Sequence, residues 1–173
     1  MPAPSGSDPH AGLPREDRLL LRRLADRADV TDTVYRFARA MDDHDWPALR
    51  ACLADAVSVD YSAFRGDAAT TLSGDEFTRM RREALSPLRM QHVITNPLVT
   101  VDGGRAECRS CFVIHRVDPA RPAREQWLDT AGHYVHGLVR TEGRWKIDRI
   151  VQTVVWTRGN REIHGGVRAK PSQ

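Results

Sequence analysis

The sequence predicts an α+β domain in which a curved, cone-shaped antiparallel sheet wraps around N-terminal helices and encloses a pocket. Three observations carry this. Helical patterns fill the first third of the chain and strand patterns dominate the second half, a segregation typical of α+β architecture. The segment 29–45, "DVTDTVYRFARAMDDHD", sets Val30, Val34, Phe37, Ala38 and Met41 at helical period, forming one apolar stripe. The long C-terminal strands are apolar on both parities, so both sheet faces need a cover. The helices are expected to cover one face and a second subunit the other, giving a homo-oligomer (a dimer or trimer) through the outer sheet face.

The elements follow in order. "EDRLLLRRLADRADV" places Leu20, Leu21 and Leu24 among charges and leads into the apolar stripe. "DHDWPALRACL" restarts the helical pattern, with Asp45 as N-cap and Pro47 in the first turn. A short extended run lies around Val57–Tyr61. Ser73 and Glu76 in "SGDEF" form a capping-box signature for another helix. "LRMQHVIT" and "PLVTVDGGRAECRSCFVIHRV" read as a hairpin turning at "DGG", and a second hairpin turns at Glu142–Gly143.

At 173 residues the chain suits one domain with a single core, and 40% hydrophobic with 28% charged residues is the composition of a soluble globular protein. The domain is expected over residues 15–160, with a leader at 1–14 and a tail at 161–173. The leader lacks the basic and apolar regions of a signal peptide, and no apolar run reaches the ~20 residues of a membrane span. A cytoplasmic location is expected, with no membrane partner. A net charge of +3 and arginines interleaved with acids argue against a nucleic-acid partner, and the cluster Arg79–Arg82 reads as a solvated helix face. Three cysteines without a secretion signal suggest reduced thiols. In "CRSC" the residues Cys108 and Cys111 sit three apart on a strand, so their thiols diverge and neither redox nor zinc chemistry is expected.

Polar residues interrupt the apolar pattern at a few points. His92 and His115 each sit on an apolar strand, and the strands are joined through the "DGG" turn. Tyr35, Ala38 and Asp42 share one helix face, so a tyrosine and a carboxylate would point at two histidines if that face looks into the cone. Tyr61 on the short strand adds a second phenol. His133 and His136 in "GHYVH" face opposite sides of a strand, so at most one points inward. Each residue also has a plain structural reading: a solvated helix-end carboxylate, a satisfied core histidine, a packed tyrosine. Trp156 reads more readily as core than as a ligand platform.

Four stretches, "MDDHDWPALRACLADAVSVDYSAF", "LRMQHVIT", "CFVIHRV" and "GRWKIDRI", resemble the SnoaL-like proteins of the nuclear transport factor 2 superfamily, and among them the scytalone dehydratases. The similarity covers roughly residues 30–156. It implies a cone-shaped pocket with an Asp–His pair, a second histidine and two tyrosines. The aspartate position matches Asp42, the histidines His92 and His115, one tyrosine Tyr61, and a pocket phenylalanine Phe64. The other tyrosine position is Met41 here, with Tyr35 nearby as a substitute. The family's serine and asparagine fall in "GHYVHG", where His133 is the nearest polar residue. Trp156 completes the expected substrate-binding set with Tyr35, Phe64 and His133.

The expected function is therefore a lyase, a dehydratase acting on a small cyclic or polyketide-like carbonyl compound of secondary metabolism. Removing water β to a carbonyl needs a base for the α-proton, a donor for the enolate oxygen and an acid for the leaving hydroxyl. Asp42–His115 is the expected base pair, with His92 and Tyr61 donating to the enolate. The reaction requires no metal and no organic cofactor. The same residues would serve a SnoaL-like cyclase or isomerase, and a non-catalytic ligand-binding module is the reading from another class.

Overall fold

The computed structural model describes residues 12–65 and 68–164, with the side chains of Phe64 and Arg65 also outside the described set. Most of the expected leader and all of the tail beyond His164 lie outside it as well. Helix α1 (Arg15–Asp42) is followed by α2 (Trp46–Ala51), strand β1 (Leu53–Asp60), the one-turn α3 (Ser62–Arg65), β2 (Thr70–Ser73) and α4 (Gly74–Leu85). Four long strands complete the fold: β3 (Arg89–Asp102), β4 (Arg105–Val117), β5 (Trp127–Thr141) and β6 (Arg144–Gly159). A 3₁₀ turn at Arg161–Ile163 then buries Ile163 and His164, so the packed chain runs past the expected end at residue 160.

The six strands form one sheet in the order β2-β1-β6-β5-β4-β3. All pairs are antiparallel except β1 with β6. The sheet curls because three of its strands change register. In β6 an extra residue opposite Ala131–Gly132 brings the backbone so close that a Cβ on Gly132 would lie 1.9 Å from the Thr153 carbonyl oxygen, so only glycine fits there.

The inner sheet face and α1 make the core. Val30, Val34, Phe37 and Met41 pack against Phe112, Ile114, Leu128, Ile147 and Ile150. The stripe predicted from spacing is the buried one. The leucines further upstream, Leu19, Leu20 and Leu24, remain exposed, so α1 enters the core only at Val30. Helix α4 begins as its capping signature predicts, with Ser73 Oγ accepting from the Glu76 N–H at 3.1 Å. It buries Phe77, Arg81 and Leu85 at four-residue spacing. Thus Arg81, read from the sequence as part of a solvated basic face, points into the fold because it occupies a core position of the helix. The two "CRSC" thiols diverge: Cys108 is buried inside and Cys111 lies on the outer face.

Candidate active site

The acidic run 42–45 distributes its side chains among three tasks. Asp43 pairs with Arg39. His44 adopts the left-handed conformation that ends α1, with φ of 56°, and stacks on Trp46. Asp45 caps α2 by accepting from the Ala48 N–H at 3.0 Å. Asp42 is the last residue of α1 and turns toward β3, where one carboxylate oxygen accepts the backbone N–H of His92 at 2.8 Å. The other lies 2.5 Å from His92 Nδ1. The carboxylate therefore holds both the ring and an edge-strand N–H that would otherwise lack a partner.

His92, not His115, is the partner of Asp42, which corrects the expected Asp42–His115 pair. The reason lies in the register of the β3–β4 hairpin. From Asp102↔Arg105 to Leu98↔Arg109 the pairing keeps the register of the tight turn. Continued unchanged, it would set His92 directly opposite His115. A bulge at Asn96–Pro97, with Asn96 at φ 54°, shifts it by one, and His92 pairs with Ile114 instead. One residue of shift exchanges the faces of the strand. His92 turns inward, and His115 stays outside, 51% exposed, bonding Asp129 at 2.8 Å across to β5.

Of the other expected site residues, Tyr61 lines the interior cavity together with His92. Tyr35 is exposed and faces an open groove of about 630 Å³ between α1 and β3, which Asp42 and His92 also line. It does not reach the interior, so it does not replace the phenol missing at Met41. Met41 itself lines the cavity. His133 is on the outer face, 3.6 Å from Cys111 Sγ, and Trp156 pairs with Ala131 on that same face, 45% exposed. Both are removed from the expected substrate-binding set by strand parity. The Phe64 side chain lies outside the described residues. Asp42, His92 and His115 do not converge, and among the described residues no group of three or more His, Cys, Asp or Glu side chains is placed to hold a metal ion.

Five polar residues the sequence reading did not select also line the cavity, Arg81 from α4, Arg116 from β4, Tyr134 from β5, Gln152 from β6 and His164 after the 3₁₀ turn, together with the apolar Leu85 and Met90. Arg116 was within reach, since it follows His115 and alternation puts one of the two inward. Gln152 Nε2 donates to the Tyr134 hydroxyl oxygen at 2.8 Å, leaving the phenolic hydrogen free to point elsewhere. Arg116 donates to Thr130 Oγ1 at 3.2 Å, and the Arg81 guanidinium lies 5.4 Å from the Tyr61 ring centre. As it stands the cavity measures about 20 Å³, room for roughly one water molecule.

The electrostatics favour a neutral His92. Burial lowers its pKa, outweighing the hydrogen bond and charge of Asp42, which raise it, and the Arg116 charge lowers it further. The side chain is only 4% exposed. With Nδ1–H committed to the carboxylate, Nε2 carries the free lone pair and has no hydrogen-bond partner among the described residues. Burial pushes Arg116 down to about 10, so it remains charged at neutral pH, and burial pushes the Tyr134 phenol up, so it remains protonated. A neutral imidazole with a carboxylate behind it, beside phenols and guanidinium groups, can accept a proton from carbon and receive the resulting negative charge.

Comparison with known proteins agrees with this architecture. The sequence profile of the SnoaL-like domain family matches residues 22–151. A curated relative, the scytalone dehydratase-like protein claB of Passalora fulva, is 28% identical over 146 residues, covering 76% of this chain and 86% of its own. Among solved structures, the Kfla4162 protein of Kribbella flavida superposes with a TM-score of 0.75 at 21% identity, over 79% of this chain and 95% of its own. A type 2 hexachlorocyclohexane dehydrochlorinase, LinA, superposes with a TM-score of 0.68 at 17% identity, over 88% of this chain and 99% of its own.

Proposed function

Because the chain belongs to the SnoaL-like family, which includes dehydratases and isomerases, we propose that it is a lyase using the Asp42–His92 pair, with no cofactor, to eliminate water from a small cyclic or polyketide-like carbonyl compound. The observation that carries this reading is the buried pair itself: a neutral imidazole, oriented through Nδ1 by a carboxylate and sharing a cavity with two phenols. The name of the curated relative supports elimination as the reaction.

The proposed reaction gives each residue one task. Nε2 of His92 takes the α-proton, and the C–H electron pair moves onto the carbonyl oxygen as an enolate. Tyr134 and Tyr61 donate hydrogen bonds to that oxygen. Collapse of the enolate forms the carbon–carbon double bond and expels the β-hydroxyl, which leaves as water with the proton held on His92. Asp42 stabilises the imidazolium between the two steps, and a general acid–base group of this kind supplies about 10²–10⁴-fold. Entry of a substrate requires the cavity to widen, and its wall includes Met41 and Met90, side chains that repack readily.

The test is deuterium uptake at the α-carbon of β-hydroxy ketones and β-hydroxy acids in heavy water, with loss of water followed by mass spectrometry. Both are expected for the wild type and neither for His92→Gln. Uptake without water loss selects the isomerase or cyclase reading of the same pocket. A non-catalytic module is the second reading, favoured by the one-water cavity and by the structural work Asp42 does for the β3 edge. It predicts no uptake with any compound. We further infer that a second copy of the chain covers the outer sheet face around Val93 and Trp156, both exposed here. Sedimentation of the wild type and of Trp156→Arg checks this.

A further inference from the structure

Arg81 and Arg116 are 7% and 5% exposed, and both line the cavity that holds His92. Charged side chains are rarely this buried unless paired. Among the described residues neither has a carboxylate within ion-pairing distance. Arg116 bonds one neutral hydroxyl, and Arg81 rests between the Tyr61 and Phe77 rings. The Nε of each is buried with no hydrogen-bond partner. Asp42, the carboxylate that acts electrostatically on Arg116, has both oxygens engaged by His92. Burial depresses the Arg116 pKa most, and the Arg81 charge lowers it further, against smaller opposing contributions that include Asp42. Two cations lining one cavity, each with an unused donor, are what an anion would satisfy. The planar fork of arginine matches a carboxylate through two parallel hydrogen bonds.

We propose that the substrate carries a carboxylate, held by Arg81 and Arg116, so that the carbonyl-bearing carbon is presented to His92. This rests on the catalytic reading of the same cavity and narrows its substrate class to carbonyl compounds bearing an acid group. The arginines are binding residues here, and the anion neutralises the charge that the fold leaves unmatched.

The probes are acetate and benzoate against their neutral isosteres acetamide and benzamide, followed by calorimetric titration and thermal melting of the full chain. The acids are expected to bind and raise Tm, and the amides to do neither. Arg81→Met and Arg116→Met are each expected to weaken acid binding by at least ~10-fold, as the loss of one charge-assisted pair implies. Neither is expected to lower the Tm of the unliganded protein, since each removes an unmatched buried charge. Arg116→Lys, which keeps the charge without the fork, is expected to fall between. Equal binding of acids and amides, no binding of either acid, acid binding untouched by both Met variants, or a Met variant that unfolds would each overturn the proposal. His92→Gln separates this from the catalytic reading. Loss of deuterium uptake with acid binding indifferent to the arginines sinks the carboxylate alone. Acid binding through the arginines with uptake intact in His92→Gln sinks the catalytic reading alone.

Discussion

The β3–β4 hairpin carries a histidine on each face, each meeting an aspartate from another element, and the two pairs differ in everything except their residue types. Inside, His92 meets Asp42 at 2.5 Å with the imidazole 4% exposed. Outside, His115 meets Asp129 at 2.8 Å with the imidazole half in water. The inner carboxylate also holds a backbone N–H and joins helix to strand, and its histidine lines a cavity with two arginines. The outer one joins two strands that are already paired. An aspartate beside a histidine is thus no sign of function by itself. Burial makes the inner pair different, because desolvation governs the protonation of His92 and removes water as a competing partner.

The widest separation between the two pairs is expected in turnover. Asp42→Asn and His92→Gln should each lower the rate of α-deuterium uptake by about 10²–10⁴-fold, while His115→Ala and Asp129→Asn leave it within about twofold of wild type, as expected for exposed groups away from the chemistry. Circular dichroism confirms that the variants are folded. Equal losses on the two faces would erase the distinction.

The sequence shows why this comparison was hard to see in advance. The apolar stripe of α1, the caps at Asp45 and Ser73 and the turns at Gly103 and Gly143 are local patterns, and each forms as its chemistry dictates. Recognising Asp42, His92 and Tyr61 as one group depended on family resemblance. Their convergence is non-local and turns on a single strand irregularity. "TNPL" did hold the signal: a proline inside a strand pattern marks a bulge or an edge, and a bulge reverses parity beyond it. Counting alternation straight through residues 95–98 puts His92 and His115 on one face. Arg81 and Arg116 were missed for a different reason, since arginine reads as surface unless its position on a stripe is given more weight than its charge.

A third histidine sharpens the comparison. His136 is more deeply buried than His92 and on the same inner face, between Phe37 and Tyr134, but among the described residues it has no carboxylate and no hydrogen-bond partner at either nitrogen. Burial alone pushes its pKa down to about 4. The unfolded chain, with an ordinary histidine near 6.5, therefore binds the proton more readily than the folded one. The stabilising contribution is complete above about pH 6.5 and is lost as pH falls toward 4, about 3 kcal/mol over that window. His136→Phe is expected to flatten this part of the stability-against-pH curve relative to wild type in urea melts. An unchanged acid slope would show that His136 is protonated in the fold.

Next comes the stability difference between the two carboxylates. Asp42→Ala leaves a buried ring nitrogen and a backbone N–H without their acceptor, at a cost of roughly 2–4 kcal/mol for the two donors. Asp129→Ala removes a partly exposed pair and is expected to cost under about 1 kcal/mol. Urea denaturation at pH 7.5 measures both. Similar costs would mean that the inner pair contributes to the fold no more than the outer one does.

The smallest expected effect concerns coupling inside the cavity. Arg116 lowers the His92 pKa by its charge, in the same direction as burial and against Asp42. Removing that charge with Arg116→Met should raise the His92 pKa toward the ordinary histidine value, while Asp42→Asn, which removes the opposing interaction, should lower it further. Nitrogen-15 chemical shifts of the imidazole, followed against pH, read both changes directly. The acid limb of the deuterium-uptake profile should move with the shifts, because uptake requires neutral His92. The His115 resonance serves as the internal reference in the same titration, since its face of the hairpin carries neither Arg116 nor Asp42. If His115 moved as far as His92 in these variants, the two faces would be electrostatically one site, and the bulge at Asn96–Pro97 would separate side chains without separating their chemistry.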